Sequence, residues 1–340
     1  MENYLEYHLK KYPKSEIQDF IKLIYQATFG TGHMIDSPAK SLTRLKEEIS
    51  ALESVSFSED LYDYISDDYV RINLRVYKHY NLNVNLLNES FTNTSNMFVD
   101  NDKIFTEELN KLRTFLINNG FDSEEVERNF LDYSTKEYPA VHHTKSYHDE
   151  YKPAYRVIHQ NFLSEEIQYY QVRHFLENFD KSKVNFFAIE GKAGSGKSTL
   201  ASLLEKDNDV TIIHIDDFFD DANSQIGVNS LRIVKEVINP AVIGKPLKYR
   251  KFNCSTKTFS EVKIDCLNPF IIIEGAYSAN PVLEEYYKGI IYLNVNEETQ
   301  HNRLIRRSKH LYPKFVNEWL PRENKYFLNY NIFRKSDIIV

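Results

Sequence analysis

Cysteine is scarce in this chain, with two in 340 residues, Cys254 and Cys266. Neither a disulfide framework nor a zinc-ligand pattern can be built from such a pair, and two ordinary thiols are the simpler reading. Glycine and proline are also sparse, at 10 each, which excludes fibrous and low-complexity chain. No basic excess exists: 42 Lys and Arg face 49 Asp and Glu, a formal charge of -7. A global field for gripping a phosphate backbone is therefore missing, which argues against a nucleic-acid partner, although a local patch stays compatible. No apolar run reaches the roughly 18 to 20 residues that span a bilayer, and MENYLEYHLKKYPKSE lacks a signal-type apolar region. A cytoplasmic protein with no membrane partner is expected.

What is present is folded globular chain, 42% hydrophobic and 14% aromatic. At roughly 150 residues per domain, the length suggests two domains. The first half reads as helices. In SEIQDFIKLIYQATFG, Ser15 is placed to cap, with Gln18 at the third helical position, and Ile17, Phe20, Ile21 and Ile24 recur at helical spacing before Gly30. Further helical patterns cover 38–52, 60–79, 103–119, 123–132 and 164–178, so residues 1–180 are expected to be all-α. After DKSK the pattern changes to VNFFAIE, VTIIHID, PFIIIEG, GIIYLNV and SDIIV, short apolar runs alternating with helical stretches. That alternation predicts an α/β unit over 181–340, with a mostly parallel sheet flanked by helices.

Gly191 to Ser198, GKAGSGKS, fits the phosphate-loop pattern between a strand and a helix. Gly191, Ala193, Gly194, Ser195, Gly196 and Thr199 would wrap phosphate oxygens, Lys197 would neutralise their charge, and Ser198 would offer a hydroxyl to Mg²⁺. The guanine-selecting N-K-x-D is not found; NKYF at 324–327 lacks the Asp. A small-molecule kinase needs a base for the acceptor hydroxyl, an acidic group at the metal and cations over the transferred group. Asp216 after VTIIHI is the candidate base, with Asp217 beside it; helix capping is the plainer alternative for both. Glu274, closing FIIIE, is the candidate for Mg²⁺ or its waters. Arg303, Arg306 and Arg307 lie at spacings of three and four on a helical stretch and could close on phosphates, unless they form a solvated face.

With these residues in order, 184–340 resembles the uridine kinase and phosphoribulokinase group of P-loop kinases, to which pantothenate kinase is related. The resemblance rests on GKAGSGKST, IDDFF, NSLRIVKEVINPAVIGKPLKYRKFN, IIIEGAY, RLIRR and WLPRENKYF with SDIIV. It implies ATP-dependent, Mg²⁺-assisted phosphorylation of a small-molecule hydroxyl, with Asp216 as base, Glu274 at the metal and Arg303, Arg306 and Arg307 in a lid at the nucleotide. It also implies that Asp217, Arg232, Tyr249 and Asn253 face the acceptor. Phe252-Asn253 stands where related sequences tend to read Tyr-Asp, so a nucleoside acceptor does not carry over. A nucleotide-dependent regulatory protein is the alternative to an enzyme.

Residues 1–180 lie outside the resemblance; acceptor recognition, regulation and assembly, including a homo-oligomer, are the roles open to them. FGTGHMI places His33 after a flexible turn, and VHHTKSYHDEYKPAYR collects His142, His143, Lys145, Tyr147, His148 and Arg156 in an expected loop. Three readings stand for that loop: a metal site, a polar pocket for an anionic or multi-hydroxyl ligand, or plain packing. Arg75 and Lys78 on the 73–80 helix read equally well as a solvated face.

Overall fold

The computed structural model describes residues 1–31, 35, 37–53, 59–97, 101–219, 227–253 and 256–340. His33 and Cys254 lie outside the described residues. The chain divides into two compact units, Met1–Tyr170 and Gln171–Val340, the division falling inside the helix Glu165–Leu176. Among the described residues no helix is long and apolar enough to cross a membrane.

Helices dominate the first unit. Ile17–Phe29 forms as its spacing dictates and buries Ile17, Phe20, Ile21 and Ile24 against Phe105, Leu109, Leu112 and Leu116 of the helix Asp102–Asn118. Its cap differs from expectation: Glu16 is the N-cap, its N–H donating to Asp19 at 3.0 Å, while Ser15 turns back to the Tyr12 carbonyl. The unit is also not wholly helical. The helix expected over 60–79 begins only at Leu74, and before it lie the strands β1 (Tyr62–Tyr64) and β2 (Tyr69–Asn73). They form an antiparallel sheet with β3 (Tyr155–His159), in the order β1-β2-β3. The expected 141–156 loop is likewise corrected: Thr144 accepts the Tyr147 N–H and starts a helix over Lys145–Tyr151, after which the chain enters β3.

The second unit is built on a five-stranded parallel sheet. All five apolar runs become strands: β4 (Asn185–Gly191), β5 (Val210–His214), β8 (Phe270–Glu274), β9 (Tyr287–Leu293) and β10 (Ile338–Ile339). Their order is β10-β9-β4-β8-β5, with every pairing parallel. Burial on both faces explains the unbroken apolar lettering: every residue of β4 and of β8 is buried. A separate antiparallel hairpin, β6 (Leu247–Asn253) and β7 (Thr258–Ile264), was not expected. Two π-helical turns, Val234–Ile238 and Phe315–Trp319, lie just before Pro240 and Pro321. Proline has no N–H for the regular ladder and its ring crowds the preceding turn, so the helix widens there.

One charged residue interrupts the buried sheet. Glu190, next to last in β4, is 0% exposed. Its carboxylate accepts from the Gly191 and Tyr277 N–H groups on one oxygen, at 3.0 and 3.1 Å, and from the Ala279 N–H and Tyr326 hydroxyl on the other, at 3.0 and 3.1 Å. Burial pushes its pKa up to about 7, against the pull of these donors and of Lys197. Between the ordinary glutamate range and pH 7 the folded state thus holds a proton that the unfolded chain releases, and stability falls as pH rises. Urea unfolding at pH 5, 6 and 7 should show the wild-type stability declining relative to Glu190→Gln by up to about 1.4 kcal/mol per pH unit; parallel curves would refute this titration.

Candidate functional site

The glycine loop leaves the centre of the sheet at its carboxyl edge, where the strand order reverses and open α/β sheets form their ligand crevice. Gly191, Gly194 and Gly196 have φ of 149°, 83° and 107°. A side chain at Gly191 would meet the Leu293 carbonyl at 2.5 Å, so that position admits glycine alone. The helix Lys197–Leu204 follows, with Gly196 as its N-cap. Lys197 folds over the loop, its Nζ donating to the Gly191 and Lys192 carbonyls at 2.6 and 3.0 Å. Ser195 Oγ is buried without a hydrogen-bond partner, while Ser198 and Thr199 are exposed on the first helical turn. Tight glycines, an unsatisfied hydroxyl, a lysine and a helix start form a donor set that fits a nucleotide's phosphates.

Other groups brace this loop, and sequence reading missed most of them. Glu323 is buried and accepts the Ala193 N–H at 2.9 Å; burial raises its pKa. Gln300 Nε2 donates to the Ala193 carbonyl at 2.8 Å. Arg303 donates from one Nη1 to the Gly194 and Ser195 carbonyls, both at 3.1 Å. It therefore ties the helix Glu297–Ser308 to the loop, whereas Arg306 and Arg307 on the same helix are exposed. The carboxylate of Glu323 in RENKY and the run of polar residues before RLIRR were the available signals.

The acidic residues gather beside the loop because β8 and β5 are its neighbours on one side. Glu274 and His214 are register partners at the strand ends. Glu274 Oε1 accepts from Ser198 Oγ at 3.1 Å and Oε2 pairs with His214 Nδ1 at 2.8 Å. That bond, outweighing burial, raises the His214 pKa. Ser198 and Glu274 are thus adjacent, an oxygen pair of the kind that suits Mg²⁺. Asp216 lies on the 3-10 turn Ile215–Phe218 that ends β5. Its carboxylate opens to solvent from a crowded recess, where burial first and Glu274 second raise its pKa. Close packing holds the recess: a side chain at Gly275, φ 137°, would meet Ile215 Cγ2 at 2.3 Å.

The remaining predicted residues form a second cluster. Asp217 is buried; its Oδ2 accepts from the Tyr249 hydroxyl at 3.3 Å and its Oδ1 pairs with Lys251 at 3.0 Å. Tyr249 stacks on Phe218 at 5.0 Å between ring centroids. Arg232 is held by Glu236 through Nε and Nη2, both at 3.1 Å, and lies 5.1 Å over the Phe218 ring, leaving a buried Nη1 without a partner. Asn253 stands apart at the end of β6, where its Oδ1 accepts the Thr256 N–H at 3.1 Å and shapes the hairpin turn.

No protein-family model matches the chain, and no curated protein matches it. Solved structures similar to it include one described as a possible uridine kinase from Bacillus stearothermophilus, with 16% identity and a TM-score of 0.40 over 49% of this chain and 94% of that one. A putative fructose transport system kinase from Silicibacter sp. TM1040 has 20% identity and a TM-score of 0.34, covering 43% and 81%. The YGR205w protein has 14% identity and a TM-score of 0.30, covering 48% and 80%. With a glycine loop closing the central strand of an all-parallel sheet, the second unit has the P-loop nucleotide-binding fold.

Proposed function

We propose that the second unit is an ATP-dependent phosphotransferase acting on a hydroxyl of a small molecule of nucleoside, sugar or vitamin type. The observation that carries this reading is Glu274, at the end of β8, bonded to Ser198 of the phosphate loop at 3.1 Å, with Asp216 on the turn that ends the neighbouring strand β5. A base, a metal-suited oxygen pair and a phosphate cradle thereby share one sheet edge.

Gly191, Ala193, Gly194, Ser195, Gly196, Lys197, Ser198 and Thr199 would hold the triphosphate, and Ser198 with Glu274 would hold Mg²⁺. When bound, Mg-ATP supplies an electrophilic γ-phosphoryl group whose negative charge is partly neutralised. Asp216 accepts the proton of the acceptor hydroxyl as that oxygen becomes the nucleophile. His214 orients the Glu274 carboxylate from behind. Arg306 and Arg307 would offset charge on the phosphates, while Arg303 keeps the loop in shape. Asp217, Tyr249 and the spare Nη1 of Arg232 bind the acceptor.

One observation favours a second reading, a nucleotide-dependent regulatory protein: Asn253, expected at the acceptor, is engaged in its own hairpin turn. The two readings separate on turnover. ADP release from Mg-ATP should be stimulated by one member of a panel of nucleosides, sugars and vitamins. Asp216→Asn should lower that rate at least about 100-fold while leaving ATP affinity within a few-fold, and Lys197→Ala should abolish ATP binding. Full activity in Asp216→Asn removes it as base; no stimulation with ATP binding intact favours the regulator.

The raised pKa of Asp216 also sets a pH dependence. The base works only when ionised, so activity should fall on acidification at a pH above the ordinary aspartate range. A kcat/KM profile flat down to pH 4 would contradict this.

A further inference from the structure

The first unit contains a cavity of about 580 Å³, lined among others by Gln26, Lys40, Arg44, Phe91, Tyr155 and Arg156. That size suits a small organic ligand. One helix in its lining carries unspent positive charge. Lys40 and Arg44 are four residues apart on the helix Pro38–Ala51, hence on one face, and neither has an ion-pair partner among the described residues. Arg156 differs, since its guanidinium pairs with Glu48 and lies 5.4 Å over the Phe91 ring. The helix also starts at the cavity, with Ser37 as N-cap, so its positive end adds to the field.

A buried relay stands behind Tyr155, another lining residue. His143 Nδ1 is 2.8 Å from Asp19 Oδ1 and His143 Nε2 is 2.8 Å from the Tyr155 hydroxyl. The imidazole stacks on Tyr147 at 4.0 Å and 4°, which fixes its plane. Burial would raise the Asp19 carboxyl, but hydrogen bonds from His143, Thr144 and Glu16 hold it below its usual range. Burial lowers His143 to about 4, so at neutral pH the imidazole is uncharged. Facing a carboxylate, its Nδ1 must carry the proton; Nε2 is then the acceptor, and the Tyr155 O–H donates to it.

That assignment decides what Tyr155 presents to the cavity. Its one proton goes to His143 Nε2 at 2.8 Å or to Gln26 Oε1 at 3.3 Å, so its oxygen is left as an acceptor. Gln26 Oε1, 3.3 Å from the same hydroxyl, is fixed by the Arg71 Nε donor at 3.0 Å, and it too is an acceptor. Two acceptors and two cations without an ion-pair partner among the described residues line the same cavity, which calls for a ligand that carries both a donor and an anion.

We propose that this cavity is a second ligand site, for a small phosphate monoester that carries hydroxyl groups. Lys40 and Arg44 bind the phosphate, whose two negative charges match theirs, and Tyr155 with Gln26 accepts from a ligand hydroxyl. The site shares no residue with the phosphate loop, so it stands or falls independently of the phosphotransfer reading.

Calorimetric titration of the full chain with inorganic phosphate, ribose 5-phosphate, glycerol 3-phosphate and ribose tests it. Phosphate and at least one ester should bind, the ester more tightly, and ribose should not. Charge-assisted hydrogen bonds of this type correspond to roughly 10- to 100-fold in affinity. Lys40→Ala with Arg44→Ala, both exposed and outside the core, should weaken all anionic probes by about that much. Tyr155→Phe should weaken the ester about tenfold and leave inorganic phosphate unchanged, and the part of the binding that the Lys40/Arg44 variant removes should persist in Lys197→Ala. Failure of every anionic probe to bind, or binding lost in Lys197→Ala and kept in the Lys40/Arg44 variant, overturns the proposal. Equal binding of phosphate and esters, unmoved by Tyr155→Phe, overturns the hydroxyl half.

Discussion

The carboxylate of Glu190 is the interaction on which the rest of the second unit depends. Four donors converge on it from three parts of the chain: the start of the glycine loop, the turn after β8 and the helix Leu320–Asn329. Without it, three backbone N–H groups and a buried phenol would lack this acceptor, each at a cost comparable to a lost hydrogen bond. A charge in the middle of a buried sheet is expensive by itself. Here it fixes where the central strand stops and where its neighbours turn.

Around that anchor the loop is restrained from several sides. Glu323 takes the Ala193 N–H, Gln300 gives to the Ala193 carbonyl, and Arg303 spans the next two carbonyls. The loop's shape is therefore held by side chains of helices far along the chain as well as by its glycines. Sites held in this way place their donors before a ligand arrives, which reduces the ordering that binding must bring about.

Much of the second unit was legible because each signal was local. An apolar run, three closely spaced glycines and a lysine specify strand, loop and helix within fifteen residues, and Asp216 and Glu274 stood at strand ends where carboxylates are useful. The failures were non-local. LYDYISDDYVRIN carries apolar residues at spacings compatible with a helix, but Tyr62–Tyr64 pair back onto Val70–Ile72, and Tyr69–Asn73 pair with Tyr155–His159, more than eighty residues away. Glu190 was visible only as a charged letter in an apolar run, and nothing nearby named its partners. Arg303 was legible as a cation near phosphates, while its grip on two carbonyls depends on how one helix lies against one loop. Likewise Asp19 looks like an ordinary first-turn acid until the fold brings His143 to it.

The hairpin β6–β7 pairs with no strand of the parallel sheet. Only Leu247 and Tyr249 of β6 are buried, and most of both strands faces outward. The sheet's ladder, the glycine loop and the Glu190 anchor are all complete without it. Drift in its outward residues, Lys251 beside Asp217 among them, leaves the sheet's ladder and the glycine loop untouched. A lineage could thereby change what lies beside Asp217 and Tyr249 without relearning how to fold.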